Sequence, residues 1–150
     1  MDNTALIVEG ISRALFRATK YPCYVDFKKH KAQFPCFYIE LIATSQELEY
    51  TNRYWREHDF AISLFMNEFG ELKDSRALQN IADTLFISLE YIDLGDNRKI
   101  RGTDMNYRIT DNILHFFVSY DLFITKELEK IPTMQTLTAT GRIKNNGTDD

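Results

Sequence analysis

Covalent and conformational staples are scarce in this chain: only two cysteines, three prolines and six glycines occur in its 150 residues. Cys23 and Cys36 each follow a proline and form no C-x-x-C pair, so neither a thiolate metal site nor a redox pair is expected, and both read as buried free thiols. No apolar run approaches membrane-spanning length, and residues 1–4 lack the basic and apolar segments of a signal peptide. The expectation is a chain without membrane contact, made and kept in a reducing cytoplasm.

Recognised catalytic signatures are missing as well: there is no glycine-rich phosphate loop, no G-x-S-x-G elbow and no H-E-x-x-H helix. The three histidines, His30, His58 and His115, are scattered over a loop, a polar hairpin arm and a strand, which predicts surface or hydrogen-bonding roles rather than a metal site. The one basic cluster, residues 28–31, stands in a chain of net charge −4, so it reads as solvated loop and not as a nucleic-acid surface. No cofactor is expected.

What the chain has is apolar and aromatic content. At 44% hydrophobic, with 11 Phe and 8 Tyr, it can bury enough area to offset the ordering of its backbone. One α/β domain is predicted over residues 1–132. Residues 133–150 carry only Met134, Leu137 and Ile143 as large apolar groups and read as a flexible polar tail. Within that tail Asn146-Gly147-Thr148 matches a glycosylation acceptor, which has no meaning without secretion.

Residues 101–124 are the best-specified stretch. Leu114, Phe116, Val118, Tyr120, Leu122 and Ile124 alternate with His115, Phe117, Ser119, Asp121 and Phe123, while Thr103, Met105, Tyr107 and Ile109 alternate before Asp111-Asn112. Short polar residues that tolerate positive φ suit a two-residue hairpin turn. Pairing Thr110 with Ile113 then sets Ile109 opposite Leu114, Tyr107 opposite Phe116, Met105 opposite Val118 and Thr103 opposite Tyr120. The other face mixes Phe117 and Phe123 with Asp104, Asn106, Arg108, Ser119 and Asp121, unlike the polar side of a solvated sheet.

A second hairpin turns at Thr51-Asn52, and regular pairing from Tyr50 and Arg53 places Ala43 opposite Phe60, Leu41 opposite Ile62, Ile39 opposite Leu64 and Phe37 opposite Met66. Residues 44–50 and 53–59 are mostly polar yet carry Leu48, Tyr50, Tyr54 and Trp55 beside Arg53 and Arg56. As a two-stranded arm they would project about 20 Å beyond the domain at ~3.3 Å per residue. Their composition matches a subunit contact; the other reading folds the arm back over its own sheet with Trp55 as core cover.

Helical periodicity predicts a helix over residues 4–18, stopped by Tyr21-Pro22, and another carrying Leu78, Ile81, Ala82, Leu85, Phe86 and Leu89, capped by Asp74 or Ser75. Short strands are expected at 23–27 and 91–94, the latter turning through residues 95–97 into the residues before the first hairpin. The fold class is therefore α+β, an α/β sandwich: a mostly antiparallel sheet of two long hairpins plus short strands, with two helices on one face.

Several stretches together resemble the tail terminator family of phages and prophage-like elements of Gram-positive bacteria. They are Glu9-Gly10-Ile11, Pro35-Cys36-Phe37, Arg53-Tyr54-Trp55-Arg56, Leu89-Glu90-Tyr91-Ile92, Ile100 to Met105 and Leu114 to Asp121, in the family's order, over residues 5–132. The resemblance implies a structural virion protein, not an enzyme, that forms a homo-hexameric ring on the head-proximal end of the tail tube. Such a ring stops tube polymerisation and offers the head-attachment surface. Implied partners are the chain itself, the tail tube protein and the connector or neck proteins. The protein would be assembled in the host cytoplasm and end at the neck of the virion tail. Six copies would carry six times −4, or −24, so DNA passing through the lumen would be repelled rather than gripped.

Leu48, Tyr50, Arg53, Tyr54, Trp55, Arg56, Arg108, Phe117 and Phe123 are the expected oligomer contacts. Two other readings stand beside this one. One is a head–tail joining protein that binds the connector. The other is a small enzyme using Asp104, Asp121 or His115, against which Arg101, Arg108 and Lys126 are expected to neutralise the two carboxylates.

Overall fold

The computed structural model describes residues 3–26, 31–67 and 75–126. Most of the basic cluster at 28–31, the loop beyond Asn67, the cap residue Asp74, and the tail with its Asn146 triplet lie outside the described residues. The elements run α1 (Asn3–Thr19), β1 (Cys23–Tyr24), β2 (Cys36–Tyr50), β3 (Arg53–Phe65), α2 (Arg76–Ser88), β4 (Tyr91–Asp93), β5 (Lys99–Thr110) and β6 (Ile113–Thr125). One six-stranded sheet has the order β1-β2-β3-β6-β5-β4. Only β1 pairs in parallel; every other neighbour is antiparallel. The α+β class with both helices on one face is as the periodicities require.

The helices bury the stripes read from the sequence. Leu6, Ile7, Ile11 and Leu15 of α1, and Leu78, Ala82 and Leu85 of α2, join Phe37, Ile39, Phe60, Ile62, Leu64, Leu114, Phe116, Val118 and Tyr120 in one core. Phe86 meets Phe116 edge-on at 5.0 Å between ring centroids. α1 ends with Lys20 at φ 65, its N–H bonded to the Phe16 carbonyl at 2.8 Å, a left-handed stop just before Tyr21-Pro22. Ser75 stands at the N-cap of α2 without a side-chain cap bond, so it does not cap that helix as expected.

Gly102 explains why β5 passes so closely beneath α2. A Cβ there would lie 2.7 Å from the Leu89 carbonyl and 2.8 Å from a Val118 methyl, and its N–H donates to the Glu90 carbonyl at 2.7 Å. The Tyr120 hydroxyl donates to the Leu89 carbonyl at 2.6 Å, so strand and helix end are tied from both sides. Both cysteines are free, and burial pushes the Cys36 thiol up to about 11, with Cys23 a lesser cause.

Three bulges correct the regular register. In the β5–β6 hairpin Asp111 and Asn112 take φ 53 and 62, as the tight turn demands, and Thr110–Ile113, Ile109–Leu114 and Tyr107–Phe116 pair as expected. Beyond Asn106–Phe117 the register shifts, so Thr103 faces Ser119 and Gly102 faces Tyr120. Asp104, at φ 51, lies in this two-against-one bulge. Met105 and Tyr107 pack against the core below it, Ile100 and Gly102 are buried above it, and Thr103 turns to the other face.

In the β2–β3 hairpin Tyr50 pairs with Arg53, but irregularities between Leu48 and Tyr50 and between Leu41 and Ala43 shift the register twice. Phe60 therefore faces Leu41, Ile62 faces Ile39 and Leu64 faces Phe37. A two-residue shift keeps parity, so apolar still meets apolar.

Candidate subunit-contact surface

The core stops at Ile39 on β2, His58 on β3 and Tyr120 on β6, while all three strands run on. The expected arm is thus not a free two-stranded projection: β6 pairs with β3 along its whole length, from Leu64–Leu114 to Arg53–Thr125. The Asn52 amide donates to the Lys126 carbonyl at 2.8 Å, which ties the turn to the end of β6. A three-stranded extension can hold its shape where an isolated hairpin cannot.

On the face away from the helices, Trp55 sits opposite Phe123 and meets it edge-on at 4.6 Å. The Arg53 guanidinium lies 3.7 Å from the Phe123 ring centroid and 3.9 Å from the Glu49 carboxylate. Glu47, Leu48 and Glu49 join Trp55 and Phe123 around a shallow concavity of about 470 Å3. Leu48 is 61% exposed, Tyr50 75% and Phe123 43%. Tyr54 and Arg56 are on the other face, where Lys126 stands 4.5 Å from the Tyr54 ring and Arg56 donates to the Gln46 side-chain oxygen at 3.0 and 2.6 Å.

Arg108 and Phe117 form a separate pair nearer the β5–β6 turn, with the guanidinium 5.3 Å from the ring. Phe117 and Phe123 are six positions apart on β6, roughly 20 Å along the strand. The nine expected contact residues therefore divide among the arm concavity, its reverse face and the hairpin end.

Between the two aromatic zones the outward face is acidic. Glu57 pairs across the sheet with Asp121, and Asp59 with Ser119. The Ser119 hydroxyl donates to Asp59 at 2.5 Å, and the Thr103 hydroxyl donates to Asp121 at 3.4 Å. Burial raises the Asp121 carboxyl above the ordinary range; Glu57, Asp59 and Asp104 add to this, and the Thr103 bond opposes it. The expected neutralising cations are engaged elsewhere: Arg101 with Glu90 at 3.5 Å, Arg108 over Phe117 and Lys126 over Tyr54.

His115, its basicity lowered by burial and then by Arg108, is near the Ser63 hydroxyl at 3.3 Å. It is six positions from Asp121 on the same strand, roughly 20 Å away. Asp104, Asp121 and His115 do not converge on one point. Among the described residues no group of three His, Cys, Asp or Glu side chains is arranged to hold a metal. His58, read from its polar neighbours as part of the exposed arm, is fully buried, with Nδ1 3.1 Å from the Tyr120 carbonyl.

The family model described as phage tail terminator protein matches residues 6–132. The chain belongs to this tail terminator family. Membership carries a structural role in completing the phage tail and a place in the virion tail among tail and head components. No curated protein matches the chain. Among the described residues no helix is long and apolar enough to cross a membrane. Trp55, Phe123 and Arg53 stand on an extension that runs past the end of the chain's own core.

Proposed function

We propose that this tail terminator closes into a homo-hexameric ring on the head-proximal end of the tail tube, ends tube polymerisation and presents the head-attachment surface. Residues 1–132 are the ring-forming domain, with 133–150 a polar tail. Contacts between copies use Leu48, Tyr50, Arg53, Trp55 and Phe123 on the arm, with Tyr54 and Arg56 behind it and Arg108 and Phe117 at the hairpin end. The supporting observation is the arm itself: aromatic and arginine side chains held rigidly beyond the core, half-exposed, on three paired strands.

The ring's function is then mechanical. One face matches the growing tube, the other does not, and DNA passes through an acidic lumen without specific binding. Assembly takes place in the host cytoplasm, and the product resides at the neck.

Sedimentation of the purified protein, with negative-stain images of it alone and mixed with unterminated tail tubes, tests this reading. The expected result is a closed six-fold ring, free or at one tube end. A monomer at high concentration that also ignores tubes overturns it, and retention by isolated connectors instead of tubes moves the role to head–tail joining.

A further inference from the structure

Two surfaces at opposite ends of the molecule complement each other. The first is a groove of about 490 Å3 beside the C-terminal half of α1, lined by Arg13, Phe16, Arg17, Lys20 and Cys23. Phe16 is 53% exposed, and Lys20 Nζ is 5.7 Å from its ring. Arg13 is engaged by Glu9 and by the Asp93 carbonyl. Among the described residues Arg17 and Lys20 have no carboxylate partner, so the groove keeps two unneutralised cations around an apolar ring.

The second surface is the tip of the arm. Leu48 and Tyr50 are its most exposed apolar groups, and Glu47 and Glu49 alternate with them. Glu49 is near Arg53; Glu47 has no cationic partner among the described residues. Glu47 lies on the Trp55 side of the arm and Leu48 on the Tyr54 side. Because β1 covers the edge of β2 only at Phe37 and Tyr38, a groove that takes this open edge meets carboxylates and apolar side chains where it presents cations and a phenyl ring.

The two surfaces belong to different copies when they meet. Cys23, in the groove, pairs with Phe37 at the start of β2, and Tyr50 is 13 positions further along that strand, roughly 40 Å away. An arm on paired strands cannot bend back over that distance. A competing concavity with Arg98, Lys99 and Arg101 borders Trp55 and Phe123. It lies on the arm's own flank, and its arginines pair with Asp96 at 2.7 Å and Glu90 at 3.5 Å.

We infer that the arm tip of one copy seats in the α1 groove of the next, with Glu47 and Glu49 against Arg17 and Lys20 and with Leu48 and Tyr50 against Phe16. This rests on the ring reading and specifies its contact: two different patches, joined head to tail, as a closed cyclic assembly requires.

Charge reversal in the full chain tests it. The double variants E47K/E49K and R17E/K20E should each lower the association constant by about tenfold or more, read by sedimentation velocity and by copies retained on tail tubes. Their melting points should match the wild type, because these side chains are solvent-exposed. Mixing the two double variants makes opposite charges face each other at every contact of an alternating ring, so the mixture, like the quadruple variant, should regain association to within about threefold of wild type.

Wild-type rings that tolerate both reversals, or that lose assembly without rescue, overturn the docking while leaving the ring in place. Intact rings of E47K/E49K that no longer hold the tube overturn it too and give the arm tip to the tube protein. A wild-type chain that associates neither alone nor on tubes removes the ring and this contact together.

Discussion

Gly102 shows how one missing methyl group sets a strand's path. With the Leu89 carbonyl 2.7 Å from where a Cβ would stand, Gly102→Ala must push β5 away from the end of α2, or shift Val118. Loss of roughly 1–3 kcal/mol by urea denaturation is expected, as for other overpacked positions. Phe116 is the opposite case, fully buried and packed on Phe86; Phe116→Ala should cost about 3–5 kcal/mol. This side chain was legible from alternation alone, because an unbroken apolar row has only one face to bury. His58 was not. Its sequence neighbours Glu57 and Asp59 point to the other face of β3, so polarity read along the chain hid a buried imidazole at the end of the core.

Asp121 carries a pH signature whose sign follows from its surroundings. Its Oδ1 is buried without a hydrogen-bond partner, and burial with Glu57 opposite raises its folded pKa. The folded carboxyl therefore takes up a proton at higher pH than the unfolded one, so its penalty is absent below the ordinary carboxylate range and grows as pH rises through the folded value. Asp121→Asn should raise the melting temperature at pH 7, and the gain should shrink as pH falls into the ordinary carboxylate range. Thermal melts of both proteins across that range measure it; a gain that grows on acidification would contradict the assignment.

At the scale of elements, the bulges separate what the pattern could reveal from what it could not. Period-two alternation reports which face a strand buries but not where an extra residue interrupts the ladder. The turn-proximal pairs of β5 and β6 were legible for that reason. Asp104, which switches the buried set from Met105 and Tyr107 to Gly102 and Ile100, was seen only as a face residue. Its φ of 51 suits Gly, Asn or Asp and strains a β-branched side chain. Asp104→Val should therefore destabilise by about 1–3 kcal/mol, with Asp104→Gly nearly neutral; equal effects would show that the bulge relaxes.

The arm was legible in composition but not in construction. Its aromatics could be read from the sequence, yet the third strand beside it follows from β6 coming three strands after β3 in the chain and lying next to it in the sheet. Leu48→Ser with Tyr50→Ser should change stability by less than about 0.5 kcal/mol, as for exposed positions, while weakening self-association. Trp55→Ala should also lower monomer stability, because it removes the edge contact with Phe123.

For the whole molecule, charge and shape act at different ranges. In the proposed ring a formal −4 per chain would set like-charged subunits side by side, a repulsion that salt screens within about 10 Å at 0.1 M, while the contact inferred between arm and groove joins opposite charges and would be weakened by the same salt. Association should therefore pass through a maximum as salt rises, measurable by sedimentation. Where the two surfaces stand was beyond the sequence: periodicity gives a helix over residues 4–18, but Phe16, Arg17 and Lys20 line a groove only because β1 sets Cys23 alongside them.

Ile42 and Glu49, the two unpaired residues of β2, have a consequence for how this chain can vary in length. The pairs on either side of each are set by β3 and not by the extra residue, so a chain lacking Ile42 keeps Leu41 on Phe60 and Ala43 on Asp59. A deletion anywhere else in the ladder must be absorbed by sliding one of these kinks or by exchanging inward and outward side chains. Ile42 and Glu49 are thus the positions where β2 can lose a single residue with the pairs, the length of the arm and the sides of the sheet unchanged.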